Sequence, residues 1–87
     1  MTKKQSLKKN IHLICEELLA ECIAAMTYGD NNTENGQALL FSIIKMQDDY
    51  ISRISHPEPG MSAKQYYKTL RENFASQASE LIDQINN

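Results

Sequence analysis

Apolar residues recur at threes and fours in three stretches of this chain, separated by two polar interruptions. At about 100° per residue, Leu7, Ile11, Ile14, Leu18 and Ala25 fall on one helical face. Cys15, Leu19, Cys22 and Met26 widen that face, and Ile23 sits at its edge. The pattern predicts a helix over residues 5–28 with an apolar arc of about 180°. Leu13 lies outside the arc, while Lys9, Asn10, Glu16, Glu17 and Glu21 fill most of the remainder.

The second stretch predicts a helix over residues 34–55. Leu39, Leu40, Ile43, Ile44, Met46, Tyr50, Ile51 and Ile54 span an arc of about 160°. Gln47 falls near the middle of that arc and Phe41 lies off it. The third stretch predicts a helix over residues 62–85, on the spacing of Tyr67, Leu70, Phe74, Ala78, Leu81 and Ile85. Its start is the clearest in the chain. "MSAKQYY" places Ser62 at the N-cap and Gln65 three residues on, a capping box, with Met61 and Tyr66 spaced as a hydrophobic staple. Alternation of period two never persists, so no strand is expected.

The interruptions read as turns. "HPEPG" cannot continue a helix, because Pro57 and Pro59 lack donors and Gly60 favours turn geometry. "GDNNTENG" first suggests a calcium loop. An EF-hand needs Gly at position 6 and a bidentate Glu at position 12. Starting at Asp30 puts Asn35 and Phe41 there; starting at Asn31 puts Gly36 and Ser42 there. Both registers lose the ligand that closes the site. A helix boundary explains the stretch better: Gly29 offers a left-handed C′ residue, and Asn31, Asn32 or Thr33 can cap the second helix.

Three helices of about 30 Å joined by short loops should lie antiparallel. The expected fold is an all-α, up-down-up three-helix bundle forming one domain over residues 1–87. The first two arcs exceed what such a bundle covers. A small domain with surplus apolar surface suggests a protein partner, and a second copy is the simplest one. The expectation is a homodimer that extends the bundle, or else a groove for another helix. Leu13, Phe41, Met46 and Tyr50 are the residues an intrachain core should use least. Gln47, polar within an apolar arc, could pair with its own copy across a two-fold axis.

Composition narrows the classes. The chain has 87 residues, is 41% hydrophobic and 23% charged, and carries a net charge of −2. It is too apolar for a disordered tail and too charged for a membrane protein. Lysines crowd the N-terminus, but His12 and Glu16 break the apolar run a signal peptide would need. No segment reaches the roughly 20 apolar residues of a membrane span. A cytoplasmic protein is expected.

Candidate chemistry is sparse. His12 and Glu16 share a helix face but make only half of a metal site. Cys15 and Cys22 would lie about 10 Å apart along one helix, too far for a disulfide with each other. Neither has the basic surroundings that activate a thiol. No P-loop, dinucleotide fingerprint or nucleophile elbow is present. The expectation is a non-catalytic interaction module with no cofactor and no metal. The alternative is a small DNA-binding regulator: Lys64, Lys68 and Arg71 fall within about 60° on the third helix, and the N-terminal lysines could add phosphate contacts. The net acidity and the stiff five-residue link argue against it.

Overall fold

Three helices form where the apolar spacing placed them. Helix α1 spans Lys3–Tyr28, α2 spans Thr33–Ser55 and α3 spans Ala63–Asn86. This is a computed structural model; it describes the backbone of residues 3–29 and 33–86 and the side chains of 4–29 and 34–86. Among the described residues there is no strand. Asp30, Asn31 and Asn32, which carried the calcium-loop and capping readings, lie outside the described residues.

Clefts fix the helix directions. Lys4 and Leu7 of α1 share one with Ala63 and Lys64 of α3, so these two helices start at the same end. Asn35 of α2 shares another with Gln84 of α3 at the opposite end. The chain therefore runs up, down and up, over a length of 46 Å.

One core runs the length of the bundle. Helix α1 contributes Leu7, Ile11, Cys15, Leu18 and Cys22. Helix α2 contributes Ile43, Met46, Tyr50 and Ile54, and α3 contributes Leu70, Phe74, Ala78 and Ile85. The Tyr50 and Phe74 rings meet edge to face, 5.3 Å between centroids, a favoured aromatic geometry. On α1 and on α2 the fully buried positions span only about 80° of the wheel, much less than either apolar arc.

The most extensive helix contact is between α1 and α2. Gly36, buried within α2, makes it possible. A Cβ at that position would collide with Sδ and Cγ of Met26. The Cys22 thiol donates to the Gly36 carbonyl oxygen at 3.4 Å. Gly36 sits in the first turn of α2, where a glycine costs less than the penalty of about 0.5–1 kcal/mol against alanine at a mid-helix position. Here its missing side chain is what lets Met26 and Cys22 sit against the α2 backbone.

Gly29 corrects an expectation. No described glycine has a positive φ, so α1 does not end in a left-handed residue. The Gly29 N–H instead donates to Ala25 O at 3.0 Å, continuing the helical pattern. A side chain at Gly29 would place its Cβ 2.7 Å from that same oxygen. Close approach to the backbone, not handedness, accounts for the glycine.

The α2–α3 corner shows the N-cap half of the predicted capping box: Gln65 N–H donates to Ser62 Oγ at 3.2 Å. Met61 and Tyr66 line a common cleft. Two tyrosine hydroxyls then close the end of α2. Tyr66 donates to Arg53 O at 2.8 Å, and Tyr67 donates to Ile54 O at 3.0 Å. The last carbonyls of a helix lack intrahelical partners, so these bonds cap α2 from α3. His56 Nδ1–H adds another, to Ser52 O at 2.9 Å.

Gly36→Ala should destabilise the protein by about 1 kcal/mol, the low end of the cost of overpacking, because the clash is with the flexible, half-buried Met26 side chain. Adding Met26→Ala to the same chain should recover part of that loss. Urea denaturation of the two single variants and the double variant checks this; a Gly36→Ala chain more stable than the parent would contradict it.

Candidate functional site

Exposed large apolar side chains occur on all three helices, Leu13, Ile14, Ile23 and Tyr28 on α1, Phe41 and Ile44 on α2 and Ile82 on α3. Of these, Ile23, Phe41 and Ile44 share the flank of the α1–α2 hairpin that faces away from α3. Cys22 opposite Gly36 sets the level of the two antiparallel helices. Counting from that pair, helical periodicity puts Ile23 and Ile44 on opposite sides of the α1–α2 seam, with Phe41 further out. Their exposures are 50%, 48% and 64%. Leu19, Leu40 and Ile51 lie half-buried beside them. The Lys45 ammonium sits 5.7 Å from the centroid of the Phe41 ring.

The residues expected to be left over divide sharply. Leu13 and Phe41 are exposed. Met46 and Tyr50 are buried in the intrachain core, and this corrects the expectation that the core uses them least. Both fall on the side of α2 that α3 covers, and the wheel alone does not say where the third helix lies. Gln47 is half-buried on the α1 side of the seam. Sequence reasoning placed Ile23 and Ile44 at or within core faces; the narrowness of the real core leaves them outside.

Potential catalytic and metal-binding groups lie apart. His12 and Glu16 are both exposed, and among the described residues no three His, Cys, Asp or Glu side chains converge. Cys15 is fully buried, and burial pushes its thiol up to about 11. Burial raises Cys22 as well. Both stay protonated near neutral pH, the state that neither attacks nor ligates. The Tyr50 hydroxyl is buried without a hydrogen-bond partner, at a cost of about 1–3 kcal/mol. Burial raises its pKa too, opposed by the Arg53 cation and reinforced by the Asp49 carboxylate. The Arg53–Asp49 ion pair is half-exposed at 3.0 Å and contributes little to stability.

The second notable region is the end where α1 and α3 begin. Lys64, Lys68 and Arg71 are exposed there. Lys64 and Arg71 line an open cleft of about 460 Å³ together with Lys4, Leu7, Ala63 and Tyr67. The bond from its hydroxyl to Ile54 O fixes the Tyr67 ring as part of the wall. Helix α3 runs back along α2, so the pair does not cross as a helix-turn-helix does. Neither α1 nor α3 has an acid in its first turn. Cations at a helix start oppose the helix dipole, and the pairs Lys4–Lys8 and Lys64–Lys68 repel at four-residue spacing. Folding stability therefore argues against this placement of charge.

Among the described residues no helix is long and apolar enough to cross a membrane. Comparison of the chain with protein families, with curated proteins and with solved structures finds no match. The fold and its surfaces thus define the class, an all-α three-helix protein with an apolar flank and a basic end.

The raised acidities fix a sign for the pH dependence. Cys15 ionises at about 11 when folded and at 9.0 otherwise. The stability tied to its neutral form is complete below pH 9 and is lost as pH climbs toward 11. Tyr50 adds to the loss above pH 10, its ordinary value. Tyr50→Phe should be more stable than the parent by about 1 kcal/mol at neutral pH, having no orphan hydroxyl, and should fall less steeply in alkali. Chemical denaturation at neutral pH and across that window tests both; equal slopes with no gain at neutral pH would contradict them.

Proposed function

We propose that this protein is a small, non-catalytic, self-associating helical module that works by presenting the outer flank of its α1–α2 hairpin to a second copy. The observation that carries the reading is the joint exposure of Ile23, Phe41 and Ile44 beside one helix seam. Three large apolar side chains on one flank of a small domain form the kind of patch that marks an interaction surface. Covering them removes apolar area from water at about 25 cal/mol per Å², and a two-fold copy supplies a matching face at no cost in sequence. Glu16, Lys45 and Asp48 are exposed along α1 and α2 near the patch. They carry both signs, so two copies are not repelled. Gln47 is half-buried, and in this reading its amide pairs with that of the second copy and fixes the register.

Light scattering coupled to size exclusion, over a wide range of concentration, tests the reading. The parent should hold a mass near twice 9.9 kDa. Phe41→Asp combined with Ile44→Asp should give the monomer with its helical circular dichroism intact. A parent that stays monomeric throughout, or a double variant that keeps the parent's mass, would contradict the proposal.

A further inference from the structure

We infer that the cleft between the starts of α1 and α3 is a binding site for a phosphate monoester or diphosphate carried on a small organic molecule. Three cations, Lys4, Lys64 and Arg71, line this one cleft. None of them has an ion pair with a described residue. Charge gathers around it in a way the sequence order hides. Of the nine Lys and Arg residues, only Lys45 lies outside segments 3–12 and 53–71, and Glu58 is the one acid within those segments. Up-down-up topology brings the two segments to the same end. Glu58 lies with Arg53 on a different cleft. The overall charge of −2 therefore conceals a molecule with a basic end.

The site's shape selects among anions. A phosphate monoester carries between one and two negative charges at neutral pH and offers three acceptor oxygens. A planar guanidinium suits bidentate contact with it, and the ammonium groups suit point contacts. Three cations lining one cleft match that charge density better than the single charge on each diester of a nucleic-acid strand. The Leu7 side chain and the pinned Tyr67 ring provide an apolar wall for an organic portion, and the volume of about 460 Å³ falls in the range of small-molecule sites. Cations placed against two helix dipoles, and against one another, are what a site for a bound anion would need.

Isothermal titration with inorganic pyrophosphate, adenosine 5′-diphosphate, adenosine and a single-stranded oligonucleotide tests the assignment. Pyrophosphate and the nucleotide should bind, and adenosine should not. Lys64→Ala combined with Arg71→Ala should weaken both by about tenfold or more, as loss of charge-assisted hydrogen bonds does. Lys45→Ala should leave binding unchanged. The Phe41→Asp, Ile44→Asp chain should also bind as the parent does, which keeps this result separate from the question of self-association. Three results would overturn the proposal: no binding by either phosphate compound, an equal loss in Lys45→Ala, or an oligonucleotide that binds more tightly than the nucleotide.

Discussion

The missing side chain at Gly36 lets α1 and α2 touch. Among the described residues the contact between these two helices is the most extensive in the protein. Met26 occupies the space a Cβ would take, and the Cys22 thiol donates to the Gly36 carbonyl. Small buried residues, Cys15 and Cys22, continue the same close seam along α1. The hairpin is the unit, and α3 completes it.

The arrangement of surfaces reflects that seam. Two helices packed closely need only a narrow buried stripe, and α3 covers the other side of it. Of the apolar residues that the wheel spreads beyond the stripe, Leu19, Leu40 and Ile51 pack partly against the core, and Ile23, Phe41 and Ile44 remain largely in water. Attachment of α3 depends on its first turns. Ser62 caps its start, while Tyr66 and Tyr67 cap the end of α2. These bonds hold the lysines of α3 beside those of α1. An apolar flank and a basic end therefore arise from the same packing, at separate places on the molecule.

Much of the fold was legible in the sequence. Helix spacing gave three elements to within a residue or two, and the capping box marked the start of α3 because its signal is local and side-chain specific. Other features were hidden for physical reasons. A wheel gives the angle of Met46 and Tyr50 but not the neighbour they face, so two buried residues read as surplus. Gly36 fell inside the predicted second helix with no packing role attached, because its value is the space it leaves for Met26, about ten positions away. Tyr66 and Tyr67 read as a staple and a core residue, although their hydroxyls hold the corner together. The meeting of Lys4 with Lys64 and Arg71 needed the topology, since these residues are about sixty positions apart.

Native-state hydrogen exchange measures the hierarchy directly. Regions with fewer packed contacts open at lower free energy than the global transition. If the α1–α2 seam is the structural unit, amides in the middle of α1 and α2 should exchange only through global unfolding. Those of α3 should exchange through a smaller opening that releases α3 alone. Protection in α3 equal to that of the hairpin, or an opening that frees α1 first, would contradict the dependence of the fold on the Gly36 contact.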